Sequence, residues 1–284
     1  MDTTTLPPLL TAVLAAPQLG LSLGLGAIVG LIMALTGAGG GILAVPLLVF
    51  GLHLPLPQAA PTGLIAVGTA AALAAALGLR DGIVRYRAAG FMGLFGMAVA
   101  PLGVWLAARL PAPPLLLGFA ALLLLVAWRS LRAAPSGDAG ADATIPCRLD
   151  PAQGRLRWTG RCARTLAATG LTSGLLSGLF GVGGGFVIIP ALQRVSNLDL
   201  RSIQATALAV IALVSASGVV AASASGALPW AVALPFGAGA VAALLAGRAL
   251  AQRLHPKHLQ RAFGLLTLAV ALMMVARAFG WRLG

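Results

Sequence analysis

A chain of 284 residues that is 59% hydrophobic and 9% charged, with a mean hydropathy of +0.98, carries more apolar surface than a water-soluble domain of this length can bury. Nineteen bases against six acids, all of them Asp, give a net charge of +13. The bases sit in short gaps between apolar runs, so they read as loop charges facing lipid headgroups and not as a nucleic-acid surface.

Residues 1–19 form an N-terminal segment. It has no basic opening, and Pro7 and Pro8 interrupt its apolar stretch. It is expected to be an interfacial or short membrane segment, not a cleaved signal peptide. A first transmembrane unit follows over 20–131, with a glycine-broken segment at 20–53 and plain helices at 58–79, 87–109 and 113–131. The break lies in "GLIMALTGAGGGILAVP", Gly30 to Pro46. Residues 132–164 change character and become polar, basic and Pro/Gly-containing. They read as a connecting loop with a short amphipathic piece near Trp158. The loop holds both cysteines, Cys147 and Cys162. No Cys/His ligand spacing accompanies them, so no metal site is expected, and they are read as free thiols.

The second unit, 165–284, repeats the first. A broken segment at 165–193 contains "GLLSGLFGVGGGFVIIP", Gly174 to Pro190. Helices are expected at 202–223, 229–252 and 258–280. The glycine runs of the two units begin 144 positions apart, at Gly37 and Gly181. The same offset pairs Leu54 with Leu198, Thr62 with Thr206, Tyr86 with Trp230, Gly103 with Gly247 and Phe119 with Phe263 without a gap. The chain is two copies of one unit.

The bases vote on how each unit crosses the membrane. If the broken segments cross, both units face the same way, with twelve bases inside and seven outside. If they are re-entrant, each unit has three crossings and the units are inverted. Sixteen bases then fall inside, and only Arg109, Arg277 and Arg282 fall outside. The second arrangement fits better. The expected fold is an all-α polytopic membrane protein of two inverted repeats, each a re-entrant segment plus three transmembrane helices. Arms of about fifteen residues, roughly 22 Å, reach past mid-membrane without crossing. Loop 132–164 is expected on the cytoplasmic side of the cytoplasmic membrane.

Non-helical backbone at membrane depth is tolerated only where protein or a wet cavity satisfies it. Glycine runs leave N–H groups bare, and the helix that follows each run presents a positive end. That combination makes an anion site without side-chain charge. Thr36, Thr62, Thr206, Gln204 and Ser177 would add neutral hydrogen bonds. Lone glycines such as Gly93, Gly96 and Gly239 are read as packing positions.

The duplicated glycine motif, followed by "RSIQATALAVI", resembles the signature of the TauE/SafE sulfite exporter family over about residues 20–280. The resemblance implies a membrane transporter for sulfur-containing anions such as sulfite or sulfoacetate. Carried over by position, it implies a site at Gly37–Gly41 (with Gly39, Gly40), Thr62, Gly181–Gly185 (with Gly183, Gly184) and Thr206. The first run has Thr36 and Ala38 where the second has Phe180 and Val182, so the half-sites are not equivalent. Thr36 and Gln204 complete the substrate-binding set.

All six Asp fall in the tail or loops, which leaves no carboxylate to carry protons within the membrane. His53, His255 and His258 are read as interfacial. Arg248, the one base well inside an expected helix, is read as snorkelling to the cytoplasmic face. No catalytic motif, paired carboxylate or cofactor fingerprint appears; an enzyme is not expected, and neither is a cofactor. The partners are a small anion and the lipid bilayer, and small-residue helix faces would allow a homodimer. An importer or channel for another small anion and a non-transporting scaffold are the competing readings.

Overall fold

The computed structural model describes residues 18–132, 146–147, 149–150, 155–156, 159–224, 226, 228–251 and 256–278. Nearly all of the N-terminal segment, Trp158 with its expected amphipathic piece, and His255 lie outside them.

Ten α-helices are described. α1 (Leu19–Thr36) runs into a 3-10 turn at Gly37–Leu43, and α2 (Ala44–Gly51) follows. α3 (Leu56–Arg80), α4 (Tyr86–Arg109) and α5 (Ala112–Arg132) complete the first unit. In the connector, β1 (Leu149–Asp150) pairs antiparallel with β2 (Arg155–Leu156). α6 (Gly160–Phe180) ends at the second glycine run, and α7 (Gly185–Val195) restarts after it. α8 (Leu200–Ala224), α9 (Trp230–Ala251) and α10 (Pro256–Ala278) follow. Most start within a few residues of the expected positions, while α6 begins at Gly160, inside the stretch expected as connecting loop. Pro55 and Pro229 precede α3 and α9, where a missing N–H costs nothing. The Thr159 hydroxyl accepts from Cys162 N–H at 3.1 Å and caps α6.

Glycine decides how the helices pack. α1 lies along α9, with Gly26 against Phe236 backbone and Gly30 against Ala240 backbone. α6 lies along α4 in the same way, with Gly170 on Met92, Gly174 on Gly96 and Gly178 on Ala100. Shifted by 144 positions, the Gly26–Phe236 and Gly30–Ala240 contacts become Gly170–Met92 and Gly174–Gly96. The equivalent helices α3 and α8 pack on each other in opposite directions: Gly68 meets Ser215, and Gly78 meets Ala205. α5 packs on α10. Backbone-to-backbone approach is what small residues permit when no water is available to drive association. Gly93, Gly96 and Gly239 also lie in tight contacts, against Leu213, Val214 and Leu23.

After each break the chain doubles back. Gly40 lies on Met33 backbone, and a side chain at Gly51 would come within 2.6 Å of Leu25 Cδ1. In the second unit Ser173 Oγ donates to Gly184 O at 3.3 Å. The arms differ from expectation. The outgoing helices have 18 and 21 residues and the returning ones 8 and 11. Helix continues to the last residue before each glycine run, so α1 alone rises about 27 Å.

Six described helices are long and apolar enough to cross a membrane: α1, α3, α4, α5, α8 and α9. The set includes the outgoing arm α1. α10 contributes only a shorter apolar helix, Phe263–Ala276.

One expectation is overturned. Cys147 and Cys162 are not free thiols but a disulfide, with their Cα atoms 5.0 Å apart. The pairing depends on a contact that spacing does not reveal. Cys147 N–H donates to Val195 O at 2.9 Å, which brings the connector to the end of α7 beside the start of α6.

Candidate functional site

The two glycine runs reach each other at the centre of the molecule. A side chain at Gly41 would sit 3.0 Å from Val182 O and 2.9 Å from Val67 Cγ1. One at Gly183 would sit 2.9 Å from the same Val67 methyl and 2.8 Å from Ile211 Cγ2. Val67, Val182 and Ile211 are buried. The meeting point is therefore packed and apolar.

The two breaks are built differently. In the first only Gly37 has a positive φ (72°, ψ −131°), a conformation suited to glycine alone. The turn then tightens into 3-10 geometry, and Ala44 N–H donates back to Gly41 O. In the second, Gly181, Gly183 and Gly184 all have positive φ (72°, 76° and 73°). Gly184 O accepts from Val187 N–H at 3.0 Å and Ile188 N–H at 3.3 Å, which starts α7.

A cavity of about 630 Å³ opens beside the first break. Met33, Ala34 and Gly37 at the tip of α1 line it, as do Ala74 and Gly78 from α3. Arg201, Gln204 and Leu208 from α8 and Leu244 and Arg248 from α9 complete the wall. Gln204 Nε2 donates to Thr36 O at 3.4 Å and so covers the last carbonyl of α1. Among the described residues, two guanidiniums and no carboxylate line the space. Asp81, just outside, pairs with Arg248 at 3.7 Å.

The twelve positions expected to bind substrate separate into groups. Gly37 and Gln204 line the cavity, and Thr36 adjoins it through Gln204. The Thr36 hydroxyl itself donates to Ile32 O at 2.7 Å. Gly39 faces Phe263 and Thr36, while Gly40 packs on α1 and Gly41 on Val67. Gly181 packs on Ala60 backbone, Gly184 on Ser173, Gly183 sits at the packed centre, and Gly185 is buried as the first residue of α7. Thr62 and Thr206 are fully buried. The Thr62 hydroxyl donates to Gln58 O at 2.8 Å, and the Thr206 hydroxyl accepts from Arg85 N–H at 3.1 Å. The positions do not converge on one point.

Sequence reasoning missed Arg201, Arg248 and Asp81. A signal existed for one of them. Arg248 is a charge inside an apolar helix, and such a charge faces a bundle interior or water-filled space more often than lipid.

At the 144-residue offset the cavity has a counterpart, and it is filled. Gly181 replaces Gly37 and packs on Ala60, which replaces Gln204; Pro57 and Val104 replace Arg201 and Arg248. Gly218, the counterpart of Ala74, has Leu64 Cδ1 2.8 Å from where a Cβ would sit. Ser177, the counterpart of Met33, is fully buried, and its hydroxyl has no hydrogen-bond partner.

Asp199, at the start of α8, accepts from Ser202 N–H at 3.1 Å and caps the helix whose first turn carries Arg201 and Gln204. Partial burial alone would raise its pKa. Hydrogen bonds from Ser202 and its own backbone, with the Arg85 charge, outweigh burial and hold it below the ordinary carboxylate value.

A multi-pass helical protein whose broken helices meet at the centre beside a cationic cavity has the organisation of a membrane transporter. The chain belongs to the TauE/SafE sulfite exporter family, whose profile matches residues 22–274; it is a membrane transporter of that family. It is 31% identical over 267 residues to proteins from two strains of Xylella fastidiosa, 9a5c and Temecula1, each named "Probable membrane transporter protein". Each alignment covers 91% of this chain and 95% of the relative. No solved structure gives a significant match.

Proposed function

We propose that this protein exports a small sulfur oxyanion, sulfite or an organosulfonate such as sulfoacetate, across the cytoplasmic membrane. The observation that carries the reading is the cavity at the first break, lined by Arg201, Gln204 and Arg248 and, among the described residues, by no acid. The fold supports two inverted repeats. Equivalent helices α3 and α8 run in opposite directions, and the contacts of α1 with α9 recur between α6 and α4. In this reading the glycine-broken segments are re-entrant, and one half-site is open while its counterpart is closed. Exchange of the two arrangements moves the anion across.

The cavity lies at the ends of α3 and α9 and the start of α8. With loop 132–164, the start of α4, the ends of α5 and α7 and the start of α10, these ends carry sixteen of the nineteen bases, which favours this face as the cytoplasmic one. An inside-negative potential then drives an anion outward. The disulfide on the same face argues the other way, because disulfides are uncommon in the cytoplasm. The charge count carries the assignment. Labelling of Ser136→Cys in intact cells with a membrane-impermeant maleimide tests it: no labelling until the cells are opened is expected, and labelling of intact cells overturns it.

Asp81 and Asp199 stand at helix ends, so we assign no carboxylate-based proton coupling and no catalytic role. The functional test uses purified protein in liposomes loaded with sulfite, with sulfoacetate, sulfate and chloride run separately under a set membrane potential. Selective movement of one sulfur oxyanion toward the positive side is expected. Selective movement of a different anion, or flux that strictly requires a pH gradient, would replace this reading with an importer or coupled-carrier one. No movement of any anion by folded protein would favour a non-transporting role.

A further inference from the structure

We infer that Arg201 and Arg248 form an entry site for an oxyanion at the mouth of the cavity, and that Asp81 is a resident carboxylate the anion displaces from Arg248. The inference rests on the transporter reading and adds an exchange step to it. Both guanidiniums line the cavity, and Gln204 lies between them and the glycine break. Arg248 Nη2 lies 3.7 Å from Asp81 Oδ2, and both side chains are well exposed, at 38% and 46%. That geometry is long and solvated, so the pair is weak. A carboxylate 3.7 Å away holds the guanidinium in place without satisfying it.

An anion with two oxygens on one face matches the guanidinium fork and forms two parallel, charge-assisted hydrogen bonds. It therefore outcompetes a loosely placed carboxylate. A halide, with one contact, gains no such advantage. Asp81 thus sets a threshold at Arg248 that any anion must exceed, and the two contacts of the fork supply the preference for oxyanions. Its release also frees the end of α3, which carries Ala74 and Gly78 on the cavity wall. Leu244, one turn before Arg248, with Leu208 and Met33, adds an apolar part to the cavity wall, against which a short carbon body can lie while its anionic head faces the arginines.

The offset supports a one-sided device. The counterparts of Arg201, Gln204, Arg248 and Asp81 are Pro57, Ala60, Val104 and Ser225. None of the four is an ionisable side chain, so the exchange takes place at one face and the anion leaves by a path without a second arginine pair. Capture at one side and weak retention at the other suit a site that must empty.

Binding of sulfite, sulfoacetate and chloride to purified protein in nanodiscs, measured by calorimetry, tests the proposal alongside liposome flux. Asp81→Asn is expected to tighten oxyanion binding by about 2- to 5-fold, the strength of an exposed ion pair, and to leave the preference over chloride unchanged. Arg248→Gln is expected to weaken oxyanion binding by at least about 10-fold, and Arg248→Lys to lose oxyanion preference while retaining chloride binding. In the double variant Asp81→Asn/Arg248→Gln the Asp81 effect should vanish, because Asp81 acts only through Arg248. Unchanged or weaker binding in Asp81→Asn, or a full Asp81 effect without Arg248, overturns the exchange. Thermal unfolding of each variant identifies any that misfold, and Asp81→Asn, in an exposed turn, keeps the test available if the arginine variants do. Wild-type flux with arginine variants that bind normally would sink the entry site and leave the transporter reading standing. Binding with no wild-type flux would do the reverse.

Discussion

At the scale of single residues, Gly37 and Asp199 have sharply defined tasks. Gly37 holds φ 72°, ψ −131°, and a side chain there would sit 2.9 Å from Gln204 Cδ. Gly37→Ala should cost about 1–3 kcal/mol and displace Gln204 from the cavity, read as a lowered unfolding midpoint in detergent together with lost anion binding. Asp199→Ala removes the cap of α8 and should cost about 1 kcal/mol, while Asp199→Asn keeps most of the cap. The Asp199 pKa is depressed in the folded protein. Its ionisation therefore adds stability that is fully present above the unfolded carboxylate pKa, about 3.9, and is lost as pH falls below that value through the folded one. The wild type should lose stability over that acid window more steeply than Asp199→Asn, as followed by unfolding at stepped pH. The glycine requirement at position 37 was legible in the run of glycines. The partner that crowds it, Gln204 in the other unit, was not.

At the scale of elements, glycines that look alike in sequence do different things. Gly174 touches Gly96 backbone, whereas nothing lies within 4 Å of a Cβ at Gly90. Gly174→Ala must push α6 off α4 and should destabilise by about 1–3 kcal/mol. Gly90→Ala should be neutral or stabilising by up to about 1 kcal/mol, since alanine favours helix. Unfolding of the two variants under one condition separates packing glycines from idle ones. The connector offers a second element-scale test. Its disulfide closes a separation of 15 residues, so removing it as Cys147→Ser/Cys162→Ser should cost about 3 kcal/mol by the chain-entropy estimate. Reductant should lower the stability of the wild type and leave the double variant unchanged. Helix positions were read from the sequence to within a few residues, because hydropathy, proline and glycine act locally. The disulfide was not, because it depends on the connector folding onto α7.

For the whole molecule, the proposed function requires the open cavity and its filled counterpart to exchange arrangements. A cysteine at Ala74, on the cavity wall, should react with a small polar thiol reagent faster than one at Gly218, its buried counterpart. The native disulfide leaves no competing free thiol at Cys147 or Cys162. Under transport conditions the Gly218 position should gain reactivity as Ala74 loses it. Equal rates for both in every condition would remove alternation between the repeats.

The membrane class, the correspondence of the two halves at an offset of 144, the approximate helix positions and the two glycine breaks are all legible in the amino-acid sequence. Each of these depends on residues near one another in the chain or on a fixed offset between copies. The position of the cavity is not legible there, because it depends on how the helices pack. Gly37 and Asp81 belong to the first unit, and Arg201, Gln204 and Arg248 to the second, so the cavity exists only where the two units pack. The centre where the breaks meet, which the glycine pattern singles out, is closed by Val67, Val182 and Ile211. Backbone freedom is written residue by residue, whereas empty space is a property of how helices from both copies come together.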